Sequence, residues 1–304
     1  MSNKGKTIVT GGAGFIGSHL ARALLAEGYE VHVVDNLSGG KRENIPEGSV
    51  FHEVDVLDTP AMTTIFKGAR VVFHEAALPR VPFSIDHPWE SHRVNVDGTL
   101  SVLIAARDAQ VGRFVYAASA SSYGDQETIP LSEDLPAKPV NPYGVQKYVG
   151  ELYVKTFADI YGLSTVSLRY FNVYGPGLDP DSPYALVFGR FITQTKSGKP
   201  LTIIGDGEQT RDFTQVRDIV RANLLASESQ RVGKGEVINI GAGRDVSVNY
   251  LADLFGGGER SSLPSRPEAR KSRADIRRAK ELLGWEPMVR LEDGIADLKR
   301  YYAL

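Results

Sequence analysis

Tyr143 and Lys147 stand four residues apart at the head of a helical pattern, just behind Asn141-Pro142. In a helix that spacing puts both side chains on one face. A free phenol titrates at about 10 and is a poor base at neutral pH. An ammonium beside it favours the phenolate, which can then take a proton from a hydroxyl group. The strand-like run Phe114-Val115-Tyr116-Ala117 leads into Ser119-Ala120-Ser121. Ligands of open α/β sheets bind at the carboxyl ends of strands. A Ser hydroxyl there is placed to hydrogen-bond the same substrate oxygen as Tyr143. Tyr and Lys four apart are common on any wet helix face, so the pair takes its meaning from its surroundings.

Those surroundings hold a second signal. Thr7-Ile8-Val9-Thr10 reads as a strand and runs into Gly11-Gly12-Ala13-Gly14-Phe15-Ile16-Gly17, with a helix expected over 14–27. Gly11, Gly14 and Gly17 follow a G-x-x-G-x-x-G spacing. One such glycine permits a tight turn, one lets backbone approach a pyrophosphate, and one lets helix and strand pack closely. The helix start, at Phe15 and Ile16, then aims free N–H groups and its positive dipole end at the phosphates. Asp35 ends a second strand, 18 residues after Gly17. A carboxylate there accepts from an adenosine ribose 2′-hydroxyl and repels a 2′-phosphate, which selects NAD over NADP. Asp35 also suits a simple strand-end turn, with Lys41 and Arg42 nearby as phosphate partners. Asp55 suits the adenine edge or a plain loop acid. A positive nicotinamide ring adds to Lys147 in favouring the Tyr143 phenolate.

Both signals need a sheet to position them. Thr7–Thr10, Val31–Asp35, Val50–Val56, Val71–Phe73, Phe114–Ala117 and Thr165–Arg169 read as six strands. Long helical stretches over 88–110 and 142–161 separate the last three. Apolar strands alternating with helices predict a parallel sheet covered on both faces. The fold class is α/β: a Rossmann-type doubly wound parallel sheet with a smaller mixed α/β C-terminal substrate domain. The NAD-binding Rossmann domain is expected over residues 1–172 and the second domain over 173–304. Helices are expected near 184–197, 215–229, 274–283 and 291–302, with a strand at Val237–Ile240. The stretch 212–240 is expected to return to the first sheet. The nearest things to linkers are Gly256–Ser262 and the proline-punctuated 126–142.

Composition bounds the chemistry. A chain of 304 residues can bury an ample core. It has no cysteine, which excludes disulfides, thiolate metal sites, iron–sulfur clusters and a cysteine nucleophile. Its formal charge of −2 gives no basis for a general nucleic-acid or membrane-surface role. His19, His32, His52, His74, His87 and His92 show no metal-ligand spacing, so no metal is expected. The chain shows neither an export segment nor a run of 18 apolar residues, so it is expected to be soluble and cytoplasmic.

Several motifs together resemble one superfamily. They are Thr10–Gly17, His74-Glu75-Ala76-Ala77, Tyr143-x-x-x-Lys147, Arg169-Tyr170-Phe171-Asn172-Val173-Tyr174-Gly175-Pro176, Gly205–Phe213 and Leu283-Gly284-Trp285. They span nearly the whole chain and resemble the extended short-chain dehydrogenase/reductase superfamily, the nucleotide-sugar epimerases and dehydratases. Its 4,6-dehydratases usually carry Thr-Asp-Glu after strand five. Here the matching triplet is Ser119-Ala120-Ser121, without an acid, which argues against dehydration. The pattern looks like the UDP-hexose 4-epimerases of the UDP-glucose 4-epimerase family. Arg80, Val81, Pro82 and Ser84, with Asp179-Pro180-Asp181, look like the branch acting on UDP-N-acetylhexosamines.

The resemblance implies an NAD-dependent isomerase whose 173–304 region binds the UDP-sugar. It would interconvert UDP-GlcNAc with UDP-GalNAc, and UDP-Glc with UDP-Gal, through a transient 4-keto sugar. Tyr143 would take the 4-hydroxyl proton as hydride leaves C4. The keto sugar would turn over in the pocket, and hydride would return to its other face. Ser119 would bind O4, and Lys147 would also hold the nicotinamide ribose. The implied cofactor contacts are Gly11, Gly14, Phe15, Ile16, Gly17, Asp35, Asn36, Asp55, Val56, Ala76, Ala77, Tyr143 and Lys147. The implied substrate contacts are Arg80, Ser84, Ser119, Ser121, Asn172, Arg211, Arg266 and Ser272. Asn172 and Arg211 would meet the diphosphate, where an arginine fork suits phosphate oxygens. Arg266 is the second diphosphate arginine, with Arg270 the alternative. The helices over 88–110 and 142–161 would pair across a two-fold axis, giving a homodimer. The alternatives are another nucleotide-sugar reaction (decarboxylase, reductase or 4,6-dehydratase) and a dinucleotide-binding sensor without chemistry. Such sensors often lose the Tyr or Lys that is present here.

Ser272, in Lys271-Ser272-Arg273-Ala274-Asp275, falls where relatives carry a size-determining residue. A large Tyr there restricts the pocket to plain hexoses, and a small residue admits an N-acetyl group. The bland reading of Ser272 is a helix cap before 274–283. Ser272→Tyr is expected to suppress turnover of UDP-GlcNAc while UDP-glucose turnover stays measurable. Equal loss on both substrates in a coupled assay counts against the assignment.

Overall fold

Valine, isoleucine and phenylalanine crowd the short apolar runs, and such side chains favour the pleated backbone of a strand. A computed structural model describes residues 4–180, 187–256, 259–264 and 269–304. Its first six strands are β1 (Lys6–Thr10), β2 (Glu30–Val34), β3 (Val50–His52), β4 (Val71–His74), β5 (Arg113–Ser119) and β6 (Thr165–Tyr170). Then follow β7 (Val173–Tyr174), β8 (Leu201–Ile204), β9 (Thr210–Asp212), β10 (Thr214–Gln215), β11 (Lys234–Ile240), β12 (Asp245–Ser247) and β13 (Arg260–Leu263). The helices begin with α1 (Phe15–Ala26), α2 (Thr59–Phe66), α3 (Val81–Asp86), α4 (Pro88–His92), α5 (Gly98–Asp108) and α6 (Pro142–Tyr161). They continue with α7 (Val187–Lys196), α8 (Val216–Glu228), α9 (Val248–Leu254), α10 (Arg277–Leu283) and α11 (Leu291–Tyr302).

The main sheet is parallel throughout, in the order β11-β6-β5-β4-β1-β2-β3. β4 and β6 are buried along their whole length, as strands covered on both faces must be. One apolar layer joins the sheet to α1 and α8 through Leu20, Leu24, Ile219 and Ala222. The opposite layer joins it to α2, α5 and α6 through Met62, Phe66, Leu103, Val154 and Phe157. Strand order reverses between β1 and β4, which opens a crevice at their carboxyl ends. β11 is the last strand on the β6 side, so 212–240 does feed the first sheet. A third cluster, with Phe188, Phe191, Phe213, Leu251 and Ile295, lies under α7, α9 and α11.

Helix α6 forms over the expected span. Asn141 accepts from the Gly144 N–H at 2.9 Å, Pro142 opens the first turn, and Gly162 closes the helix at φ 68°. Elsewhere the structure differs from the sequence reading. The third strand stops at His52 because Asp55 folds back to accept from the Leu57 N–H at 2.9 Å. The stretch 88–110 is α4 and α5 joined by a wide π turn over Arg93–Asp97. The last small helix begins at Arg277 instead of 274, because Ala274 is held extended in a bridge to Leu131. Its cap residue is Ile276, so Ser272 is not a helix cap. Helices α2, α3 and α9 have 8, 6 and 7 residues, too few turns to print a periodic pattern.

The C-terminal segment is tied to α8 through Trp285, which is fully buried. Its indole N–H donates to the Asp218 carbonyl at 3.0 Å, and Arg221 lies 5.6 Å from the ring centroid. The Asp218 carboxylate accepts from the Met288 and Val289 N–H groups, each at 3.0 Å. Trp285→Ala empties that volume and removes the indole hydrogen bond to Asp218. It is expected to lower stability by roughly 3–5 kcal/mol, measured by denaturant unfolding.

Candidate active site

The glycine loop is built by close approach. Gly11 has φ 69°, and a Cβ there would lie 2.6 Å from the Ala76 nitrogen. A Cβ on Gly17 would lie 2.3 Å from the Gly11 carbonyl oxygen. Gly14 caps α1 without a side-chain hydrogen bond, so the helix start at Phe15 and Ile16 is open to an anion. Asp35 is buried and accepts from the Ala13 N–H at 3.0 Å and the Leu37 N–H at 2.8 Å. It therefore braces the glycine loop and also makes the strand-end turn. Burial pushes its carboxyl up, and the two N–H bonds oppose that. Asn36 donates to Asp55 at 2.9 Å, and Val56 packs beneath Gly98. Ala76 donates its N–H to Thr10 Oγ at 3.4 Å, and Ala77 follows in the loop after β4. These residues surround the crevice between the ends of β1 and β4. Arg42 pairs with Glu53 and Lys41 with Asp179 at 3.7 Å, so both nearby cations have carboxylate partners.

Across the crevice, α6 delivers Tyr143 and Lys147 to the end of β5. The Tyr143 phenol lies beside Ser119. Burial pushes that phenol up to about 12; Ser119 opposes the rise and the Glu75 carboxyl adds to it. Lys147 is almost fully buried and donates to the Ala117 carbonyl at 2.8 Å, 5.0 Å above the Tyr116 ring centroid. Burial pulls its amine down to about 8, against the pull of Glu75 and Glu151. Ser119 also accepts from the Ser121 N–H at 3.2 Å, which fixes the turn after β5. Gly144 is needed there, since a Cβ would lie 2.6 Å from the Ser121 carbonyl oxygen.

Buried polar groups brace this face. Gln146 on α6 accepts from Asn95 at 2.8 Å and from Ser91 at 2.7 Å. Asn95 sits in the π turn and bonds both the N–H and the carbonyl of Leu78. Glu151 pairs with Arg169 through two bonds of 2.8 and 2.6 Å. Arg169 lies over the Tyr123 ring, whose hydroxyl donates to Asn239 at 2.8 Å. His74 joins Thr10 at 2.8 Å and Thr99 at 3.1 Å. Thr99 already donates to the Asn95 carbonyl, so His74 Nε2 carries the proton and Thr10 donates to Nδ1. Burial, then Lys147, pulls this imidazole down to about 3 and keeps it neutral. Among the described residues, no group of three or more His, Asp or Glu is arranged to hold a metal ion.

The expected substrate residues fall into two groups. Ser119 and Ser121 stand at the end of β5, with Arg80 at the start of α3. Ser84 is fully buried; it donates to the Val81 carbonyl at 2.7 Å and accepts from the Tyr143 N–H at 3.1 Å. Its hydroxyl thus positions Tyr143. Asn172, at φ 29°, donates to the Asp212 carbonyl at 3.0 Å, and Arg211 precedes Asp212 on β9. The buried Asp212 carboxylate accepts from the N–H groups of Ala242 (2.6 Å), Gly243 (2.9 Å) and Ala274 (3.0 Å). It therefore brings Asn172, Arg211 and the Ser272 segment to one wall. Burial pushes it up to about 7, against those three bonds. Arg270 forks onto Asp206 at 2.9 and 2.7 Å, which engages it outside the wall. Arg266 and Asp181 lie outside the described residues. Sequence reasoning missed Glu75, Asn95, Gln146 and Asp212. Glu75 and Asp212 stood inside motifs already singled out, while Asn95 and Gln146 carried no local signal.

A family model described as the NAD dependent epimerase/dehydratase family matches residues 7–241. The chain belongs to that family. It is 39% identical over 296 residues to a putative UDP-glucose 4-epimerase of Methanocaldococcus jannaschii, covering 95% of each chain. The solved UDP-glucose 4-epimerase of Thermotoga maritima, with UDP-glucose, is similar at TM-score 0.94 and 40% identity, covering 98% of each chain. A UDP-N-acetylglucosamine 4-epimerase from Methanobrevibacter ruminantium, in complex with UDP-N-acetylmuramic acid, is similar at TM-score 0.93 and 35% identity, covering 99% of each. The family's NAD fits the crevice: the cradle at Gly11 and Gly17 admits no Cβ, and the α1 start is uncapped. Gly17→Ala is expected to weaken NAD binding at least about tenfold, read by calorimetry with the fold checked by circular dichroism.

Proposed function

We propose that this protein is an NAD-dependent 4-epimerase of UDP-sugars that interconverts UDP-GlcNAc and UDP-GalNAc and also accepts UDP-glucose and UDP-galactose. The observation that carries the reading is the delivery of Tyr143 and buried Lys147 by one face of α6 to the end of β5, where Lys147 donates to the Ala117 carbonyl and Ser119 ends the strand. Gly11, Gly14, Phe15, Ile16, Gly17 and Asp35 hold the cofactor, with Asn36, Asp55, Val56, Ala76 and Ala77 around it. When bound, NAD would supply the hydride acceptor and donor for C4 of the sugar. Tyr143 takes the 4-hydroxyl proton and later gives it back. Ser119 orients O4 and steadies the Tyr143 phenol, with Ser121 beside it. Lys147 supplies positive charge next to the phenol and binds the nicotinamide ribose. The triplet Ser119-Ala120-Ser121 at the end of β5 contains no acid, which supports epimerisation over loss of water.

Asn172, Arg211 and Arg266 meet the diphosphate of the substrate, Arg80 lies at the sugar side, and Ser272 leaves room for an N-acetyl group. Arg270 is the weaker choice for the diphosphate, because Asp206 engages its fork. Residues 173–304 form the UDP-sugar-binding region, with α8 and β11 returned to the NAD-binding part. The half-exposed Val145 and Leu152 lie two turns apart on α6 and suit pairing with a second copy, which supports a homodimer. Among the described residues no helix is long and apolar enough to cross a membrane, which agrees with a cytoplasmic setting.

Incubation with UDP-GlcNAc and no added NAD tests the reading. UDP-GalNAc appearing without net NADH is expected. A keto-deoxy product or carbon dioxide transfers the chain to another reaction, and turnover of plain hexoses or UDP-glucuronate alone removes the acetylated substrate. Tyr143→Phe is expected to lower kcat by about 10²–10⁴ while UDP and NAD binding persist.

A further inference from the structure

One half-buried carboxyl in the site has no part in the steps above. Glu75 follows β4, and the register pairs His74 with Tyr116, so Glu75 stands level with Ala117. Ala117 is the residue whose carbonyl receives Lys147. On the far side of β5, Ser119 pairs with Tyr170. The Tyr170 hydroxyl reaches back to donate to Glu75 Oε1 at 2.7 Å, and it accepts from Asn223 Nδ2 at 2.7 Å. The chain Asn223–Tyr170–Glu75 thus ends on an accepting oxygen, which suits a carboxylate. The ends of β4, β5 and β6 gather Glu75, Lys147, Ser119 and Tyr170 at one edge of the crevice.

We propose that Glu75 is the electrostatic partner of Lys147: a positioning residue whose carboxylate, oriented by Tyr170, keeps that ammonium charged within the Ser119–Tyr143–Lys147 site. The inference rests on the reading of that trio as the reaction centre. The pair interacts through space, since the Lys147 amine donates to Ala117. Two carboxylates support the ammonium, Glu75 ahead of Glu151. Glu151 is already engaged by Arg169, which leaves Glu75 as the undivided counter-charge. From α6, Tyr143 and Lys147 bear on Glu75, and from β6, Tyr170 does. His74 and Tyr116 bear on Lys147 and Tyr143 from β4 and β5, both kept neutral by burial. Burial pushes Glu75 up to about 7, while Tyr170 and Lys147 pull it back. Lys147 and Glu75 thus sustain each other's charge. The sign is fixed: removing the negative charge makes the ammonium easier to deprotonate.

The test titrates Lys147 in isotope-labelled holoenzyme by NMR, its side-chain signal assigned by its loss in Lys147→Met. In Glu75→Gln the Lys147 midpoint is expected about one pH unit below that of the wild type. Glu75→Asp restores it in part. The alkaline limb of the kcat profile moves down with it, while KM for the UDP-sugar holds. An unchanged or raised Lys147 midpoint overturns the proposal. Should Glu75→Gln fail to fold, Tyr170→Phe keeps the carboxyl but removes its donor; the midpoint again falls, and no change again overturns the idea. The titration needs no substrate. A wild type that does not epimerise UDP-sugars defeats the proposed function, while the Lys147 midpoint still decides this inference.

Discussion

The site depends on one hydrogen bond, from the Lys147 amine to the Ala117 carbonyl. A charged amine taken out of water is costly unless donors, acceptors and opposite charges replace the solvent. Here a strand-end carbonyl, the Tyr116 ring and two carboxylates do so. Because the carbonyl belongs to the central part of the sheet, the bond also aims α6. Tyr143, one turn earlier, is then carried to Ser119. The caps at Asn141 and Ser84 place the same turn from its other end.

That arrangement needs its neighbours rigid. α6 meets the loop after β4 through Gln146 and Asn95, and meets β6 through Glu151 and Arg169. From Arg169 the polar chain continues through Tyr123 to Asn239 on β11. Asn239 in turn donates to the Leu131 carbonyl at 2.8 Å. Leu131 is bridged to Ala274, close to Ser272. A single path of contacts therefore runs from α6 to the segment around Ser272. Each link is costly to orphan, which favours one arrangement of the whole.

What the sequence could show follows from range. The glycine spacing, the Tyr–Lys pair and the apolar strands are local patterns, and each appears where its pattern implies. α6 is legible from its first proline to its closing glycine. The pieces that escaped notice depend on distant partners. The local pattern overextends the third strand because Asp55 turns the chain through its own side chain. It makes Ala274 helical because the bridge to Leu131 is invisible along the chain. Ser84 looked like a substrate contact because nothing nearby reveals that its hydroxyl receives Tyr143. Glu75 lay within a recognised motif, but its meaning depends on Tyr170 two strands away.

Asp212 bears on how this molecule can change over evolutionary time. It grips the neighbouring main chain by three backbone N–H groups, at Ala242, Gly243 and Ala274. Backbone donors exist whatever the side chain, so the anchorage does not consult the identity of Ser272 or Arg273. Those side chains can be exchanged while the main chain stays docked. Stability is thereby assigned to backbone atoms and variation to side-chain atoms of one segment. A lineage could change them by single substitutions, without first repairing the fold.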